Sequence, residues 1–216
     1  MQDAERALRL EIIQTCLDMD RHGLNQGTSG NVSVRWSDGL LVTPSGIPYE
    51  SIEAEDIVFL GMDGTPYGHH APSSEWRFHR DILRSRPDLN AVVHAHPTYA
   101  TAHAILGNDI PAAHYMIAAA GGSTIRCAPY ATFGTEELSR HALDALADRT
   151  ACLLANHGLI ACGPSLSRAL WLADEVETLA RQYAIALQIG TPKILSEDEI
   201  DRVLEKFSSY GPKPKM

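Results

Sequence analysis

His94 and His96 frame one residue in the stretch Ala91-Val92-Val93-His94-Ala95-His96-Pro97. Ala91 to Val93 is apolar and largely β-branched, the composition of a buried strand. Side chains two apart on a strand share a face, with Cα atoms about 6.5–7 Å apart. Two imidazoles so placed can close on one metal ion. His157 follows a second apolar run, Leu153-Leu154-Ala155-Asn156, and is the third candidate. Three neutral imidazoles leave a Zn2+ its full charge and one open coordination position, the pattern of a catalytic site. The plain alternative is that the three are separate buried, hydrogen-bonded side chains. Spacing alone does not bring residue 157 to the other two.

Three short segments could expose backbone amides to an anion: Ser29-Gly30-Asn31, Ser45-Gly46 and Ser73-Ser74. Glycine lets a ligand approach the main chain, and serine and asparagine add side-chain donors. Ser73 and Ser74 stand at a predicted helix start, where free N–H groups and the helix dipole favour phosphate. Taken singly these are ordinary turns; they gain meaning if all three face the histidines. No phosphate-binding nucleotide motif occurs. Glu75 is read in the first turn of the same helix, where a carboxylate usually serves the dipole at about 0.3–1 kcal/mol. Next to a phosphate loop it could also leave a metal and take up a proton as a general base.

These residues need a scaffold. Apolar spacing predicts a first helix from about Ala4 to His22, ended by Gly23. Alternation predicts strands at 32–36, 40–43 and 57–60, the first two joined by a turn at Ser37-Asp38-Gly39. A serine cap ahead of Trp76 to Leu83 starts a helix that Arg86-Pro87 stops. The strand of His94 and His96 follows, then helices at about 98–106 and 135–147. Cys152 to Leu154 and Leu159 to Cys162 read as strands with His157-Gly158 between them. A long helix spans about 165–189. Ser196 with Glu199 forms a capping box for a last helix to about Phe207. Strands and helices interleave without a regular βαβ rhythm, so a mixed or antiparallel sheet covered by helices is expected. The tail from about 208 is polar and proline-rich, and is expected to be mobile or ordered only on a ligand or neighbouring chain.

Composition narrows the partners. The 216 residues fit a single α/β domain, 44% of them are hydrophobic, and the net charge of −9 argues against nucleic acid. Cys16, Cys127, Cys152 and Cys162 are scattered, as expected of reduced core thiols in a cytoplasmic protein. No signal peptide is evident, and no apolar run approaches the roughly 20 residues of a membrane helix. Met1 to Thr191 contains no lysine, which leaves no Schiff-base candidate near any motif.

Together Gly27-Thr28-Ser29-Gly30-Asn31-Val32-Ser33, Thr43-Pro44-Ser45-Gly46, Ser73-Ser74-Glu75, His94-Ala95-His96 and His157-Gly158 resemble the class II aldolase/adducin family. Segments 23–28, 72–79, 114–122, 127–134 and 206–211 extend the resemblance to nearly the whole chain. It implies a three-layer α/β (α-β-α) fold with a central mixed, mostly antiparallel sheet. It also implies a homotetramer with active sites at subunit interfaces. By the resemblance, His94, His96 and His157 are zinc ligands and Glu75 is the acid/base group that also binds zinc before substrate. Gly30, Asn31, Ser45, Gly46, Ser73 and Ser74 contact the substrate phosphate. Tyr115 donates a proton to the aldehyde oxygen, and Phe133 and Tyr210 position the aldehyde. Ser45 stands where threonine is expected, which keeps the hydroxyl, and Asn156 stands where a histidine is expected.

The implied reaction cleaves a ketose 1-phosphate, L-fuculose 1-phosphate first among candidates, to dihydroxyacetone phosphate and an aldehyde. Negative charge left on the phosphorylated fragment calls for a Lewis acid, which zinc supplies. The alternatives are an aldolase for 5-deoxy- or 5-methylthio-pentulose 1-phosphates, a family epimerase or dehydratase, and a metal-free adducin-like scaffold. A closed structural zinc site would normally recruit cysteines or a fourth protein ligand.

Overall fold

The structure is a computed structural model that describes residues 3–209. Its centre is an eight-stranded sheet of order β4-β3-β2-β1-β5-β10-β9-β8. The strands are β1 (Asn31–Trp36), β2 (Gly39–Val42), β3 (Val58–Gly61), β4 (Pro66–Tyr67), β5 (Ala91–Ala95), β8 (Cys127–Ala128), β9 (Ala151–Leu154) and β10 (Gly158–Gly163). All neighbours run antiparallel except β8 and β9. A separate pair joins β6 (Ile110–Pro111) to β7 (Thr124–Ile125). The mixed, mostly antiparallel sheet expected from the sequence is present.

Alternation along the central strands divides the core in two. Ala91, Val93 and Ala95 of β5 and Leu159 and Ala161 of β10 enter one cluster. Val92 of β5 and Ile160 and Cys162 of β10 enter the other. The first cluster is covered by α1 (Asp3–Arg21), α3 (Thr98–Ile105), α5 (Leu166–Ile189) and α6 (Glu197–Ser209). The second is covered by α2 (Trp76–Ser85) and α4 (Glu136–Ala145). This is the three-layer α-β-α arrangement. The sequence explains the local pieces. Ile12, Cys16 and Met19 line the buried side of α1, and Gly23 leaves it with φ 73°. Thr135, Ser165 and Ser196 each accept the N–H three residues on, at 3.2–3.3 Å, and so begin α4, α5 and α6.

Two readings change, and one segment unassigned from the sequence gains a structure. Glu75 is the N-cap residue of α2, not a member of its first turn, and its side chain makes no cap hydrogen bond. The cap position expected of a serine falls to Glu75, whose carboxylate turns toward the histidines, as the resemblance implied. His96 lies one residue past the end of β5. The segment around Met116 is a 3-10 helix over Tyr115–Ala120. The two-residue strands β4, β6, β7 and β8 have no pattern long enough to read. The four cysteines are unpaired with one another: Cys16, Cys152 and Cys162 are buried and Cys127 half-buried. Burial pushes Cys162 up to about 12 and Cys127 to about 11, so neither is nucleophilic at neutral pH. No described helix is long and apolar enough to cross a membrane. Of the expected tail from about 208, Ser208 and Ser209 end α6, and Tyr210 to Met216 lie outside the described residues.

Candidate metal centre and substrate cleft

β5 delivers His94 and His96 to the end of the sheet, and the β9–β10 turn delivers His157. Asn156, just before it, takes φ 56°. Asparagine tolerates this left-handed conformation better than most residues, and the turn there aims the next side chain inward. The three rings form a near-equilateral triangle, with centroids 4.8, 4.8 and 4.9 Å apart. Glu75 closes the group: Oε2 is 3.2 Å from His94 Nε2, and Oε1 is 3.2 Å from His157 Nε2.

The donor set fits a divalent cation. His94 Nδ1 lies 2.8 Å from the Leu159 carbonyl, which can only accept, so the proton sits on Nδ1 and Nε2 offers a lone pair. That Nε2 is 2.9 Å from His96 Nε2, where bare lone pairs repel unless a cation or proton lies between them. Ligand atoms of a tetrahedral ion at about 2.0–2.1 Å lie about 3.3 Å from one another. The one-atom-per-residue ligand sets of Glu75, His94, His96 and His157 lie within 4.8 Å of one another. Glu75 Oε1 is buried without a hydrogen bond, which is costly for a carboxylate oxygen lacking a cation. Burial raises the Glu75 carboxyl, but the adjacent His94 and His157 more than reverse this and hold it well below the usual carboxylate range. Burial, then His94 and His157, push the His96 imidazole down to about 3, so it is neutral and able to ligate at pH 7.

Around this cluster opens a cleft of about 380 Å³. Gly30, Asn31, Ser45, Gly46, Ser73 and Ser74 all line it, with Glu75, His96, His157 and Phe133. The three small-residue loops therefore do converge on the histidines. The Ser45 N–H donates to Ala71 and the Ser73 N–H to Thr43, so these two serines bring hydroxyls, not amides, to the cleft. Asn31 is largely committed elsewhere: its amide donates to Glu75 Oε2 at 2.9 Å. The lining contains no lysine or arginine among the described residues.

Tyr115 is not brought to the cleft. It is half-exposed beside His114 and lines a separate groove with Leu195, Glu199 and Val203. Sequence reasoning missed Tyr130 and Asn156, which line the cleft, and gave no role to Asn25. Asn25 Oδ1 accepts the His96 N–H at 2.9 Å, and its Nδ2 donates to Tyr49 at 3.1 Å. Gly30 is the close approach that allows this. A Cβ there would sit 1.7 Å from Asn25 Nδ2 and 2.8 Å from the His94 carbonyl. Gly158 is similar, since its Cβ would meet the Ala95 carbonyl at 2.4 Å and His96 Cδ2 at 2.7 Å.

A mixed sheet between helical layers, with three imidazoles at the ends of its central strands and the carboxylate of a helix N-cap residue gathered beside a cleft lined by serine and glycine, defines a metalloenzyme-type site. The comparisons make the class specific: the chain belongs to the class II aldolase/adducin family, with residues 10–184 matching the Class II Aldolase and Adducin N-terminal domain. It is 58% identical over 205 residues to an L-fuculose phosphate aldolase of Escherichia coli (strain K12), covering 94% of this chain and 95% of that one. It is 55% identical over 211 residues to a 5-methylthioribulose-1-phosphate/5-deoxyribulose-1-phosphate aldolase of Rhodospirillum rubrum, covering 98% and 96%. A solved L-fuculose 1-phosphate aldolase superposes with a TM-score of 0.90 at 40% identity, over 93% of this chain and 95% of that one. Family and relatives together indicate a metal-dependent lyase.

Proposed function

We propose that this protein is a zinc-dependent aldolase that reversibly cleaves L-fuculose 1-phosphate to dihydroxyacetone phosphate and L-lactaldehyde. The observation that carries the reading is the convergence of Glu75, His94, His96 and His157 beside a cleft built from serine and glycine loops. Borderline-soft imidazole donors suit zinc, and the 58% identity to an L-fuculose phosphate aldolase supports the substrate. The enzyme works as a cytoplasmic homotetramer.

His94, His96 and His157, with Glu75 before substrate binds, would hold the metal, which would supply Lewis-acid polarisation of the ketone. The remaining work falls to the chain. The hydroxyls of Ser45, Ser73 and Ser74, with main-chain groups at Gly30 and Gly46 and the unengaged amide hydrogen of Asn31, clasp the phosphate. Fixing the phosphate fixes the ketone carbons, and such positioning lowers the barrier by several kcal/mol. In the condensation direction Glu75 takes the proton from C3 of dihydroxyacetone phosphate, and in cleavage it returns it. Phe133, largely exposed at the cleft, packs against the aldehyde. Tyr115 protonates the aldehyde oxygen and Tyr210 helps to place the aldehyde, reaching the cleft from a neighbouring subunit. The distance of Tyr115 from its own chain's cleft is what a site completed at an interface requires.

A second reading keeps the reaction and changes the aldehyde. The 55% identity to a 5-methylthioribulose-1-phosphate/5-deoxyribulose-1-phosphate aldolase favours it. Both readings share the phosphorylated half of the substrate, so the phosphate loops do not separate them. The test is dihydroxyacetone phosphate release from L-fuculose 1-phosphate, 5-deoxyribulose 1-phosphate and 5-methylthioribulose 1-phosphate, each with and without chelator. The expected result is the highest kcat/KM on L-fuculose 1-phosphate, abolished by chelation. A preference for either pentulose would transfer the assignment to the second reading, and no release from any would reject both.

A further inference from the structure

Behind Glu75 runs a chain of buried polar groups, two of which, His79 and Ser33, have no part in the reaction described above. Asn31 Nδ2 donates to Glu75 Oε2 at 2.9 Å. Asn31 Oδ1 lies 2.5 Å from His79 Nε2, and His79 Nδ1 lies 2.7 Å from Ser33 Oγ. Asn31 is 3% exposed, Glu75 5%, and Ser33 and His79 are both 0%. Every proton in the chain is assigned by its neighbours. The Asn31 oxygen only accepts, so His79 Nε2 carries the hydrogen. A neutral imidazole then has a bare Nδ1, and the Ser33 hydroxyl must donate to it. Burial above all, then His94, pushes His79 down to about 3, which agrees with the neutral ring.

The direction of this chain decides which end of the Asn31 amide meets the carboxylate. Turned over, the amide would set its carbonyl oxygen against Glu75. With His79 donating to the oxygen, the nitrogen end is held toward Oε2. Oε1 is left buried and without a hydrogen bond. We propose that His79 and Ser33 are positioning residues for Glu75: through Asn31 they fix Oε2 and leave Oε1 as the oxygen that exchanges a proton with the substrate carbon. The elements make the lock rigid. Asn31 and Ser33 are alternate residues of β1, and His79 stands one helical turn beyond Glu75 on α2. The relay ties that strand to that helix beneath the site. A carboxylate released from it would shift within the cleft, and a displacement of about 1 Å can cost about 10²-fold in rate.

This inference rests on the aldolase reading, so the test isolates the step assigned to Glu75. Zinc-loaded wild type, Ser33→Ala and His79→Phe are incubated with dihydroxyacetone phosphate in D2O without aldehyde, and exchange at C3 is followed by NMR. Metal content and the half-saturating concentration of dihydroxyacetone phosphate are measured alongside. At saturating dihydroxyacetone phosphate, exchange should fall about tenfold in Ser33→Ala and about 10²-fold in His79→Phe, with metal content unchanged. His79→Gln, which keeps an N–H donor, should recover part of the loss. Folded, metal-loaded variants that exchange at the wild-type rate would overturn the proposal. So would losses that merely follow loss of metal or of folded protein. If His79→Phe does not fold, Ser33→Ala alone decides. Wild-type protein that neither exchanges nor cleaves would overturn the aldolase reading itself, and with it the catalytic purpose of the relay.

Discussion

Glu75 differs from the imidazoles around it because its two oxygens have different neighbours. Oε2 accepts from Asn31, while Oε1 has no hydrogen-bond donor and lies 3.2 Å from His157 Nε2. A carboxylate held on one side and bare on the other is suited to moving a proton. Glu75→Gln keeps the volume and removes the base. It is expected to lower kcat by about 10²–10⁴-fold while metal content, measured by plasma emission, remains near stoichiometric. Loss of the metal together with activity would instead make Glu75 a ligand only. His157→Ala should behave in the opposite way, since a ligand is gone: metal content falls first and activity follows it. The histidines were legible because their spacing and apolar flanks are local facts. The orientation of Glu75 was not, because a carboxylate at a helix start suits the helix dipole equally well. Only the packing of α2 against β5 shows that it faces the rings.

The elements explain why these side chains stay put. Glu177, on α5, accepts the N–H groups of Tyr99 at 3.0–3.1 Å and Ala100 at 2.8 Å. It thereby caps α3, which starts two residues after His96 and whose N-cap, Pro97, offers no side-chain acceptor. Glu177→Ala would leave buried N–H groups unpaired at about 1–3 kcal/mol, read as a lower Tm in thermal unfolding of the metal-loaded protein. An unchanged Tm would mean the cap contributes nothing. Gly158→Ala forces a Cβ against the Ala95 carbonyl and the His96 ring. It is expected to weaken metal affinity more than overall stability, which a chelator competition titration would read. The helices and central strands were legible from periodicity, since their repeats run for several turns or pairings. The edge strands β4 and β8 have two residues each, too few for any period. Asn31 with Ser33 and Glu75 with His79 did carry a signal, the i,i+2 spacing of a strand and the i,i+4 spacing of a helix. It had no meaning until β1 and α2 were known to be neighbours across the site.

At the scale of the whole molecule, the site is an electrostatic cost that the metal relieves. His79 and His96 are held down to about 3, against 6.5 for an ordinary histidine. Metal-free protein therefore binds fewer protons at these groups than its unfolded chain between about pH 6.5 and 3. Its stability is fully present above that window and is lost as pH falls through it. Glu75, held below the usual carboxylate range, adds to the loss below about pH 4.5. Thermal unfolding of chelated protein should show Tm dropping steadily from pH 7 to pH 4; a flat or rising Tm would contradict the burial of neutral imidazoles. Metal binds the folded chain and should raise Tm at pH 7 in proportion to RT ln(1 + [M]/Kd). Tyr115 does not line its own chain's cleft, and the role proposed for it on a neighbour's substrate would leave no local signature in one chain's sequence.

The most direct test of the account is metal content and ketose 1-phosphate cleavage measured on the same samples, as the ion is removed by chelator and restored with Zn2+. The expected result is one ion per chain, with activity falling and returning in step with occupancy, and with neither observed in His157→Ala. Full cleavage by ion-free protein, or a stoichiometric ion retained without His157, would contradict it.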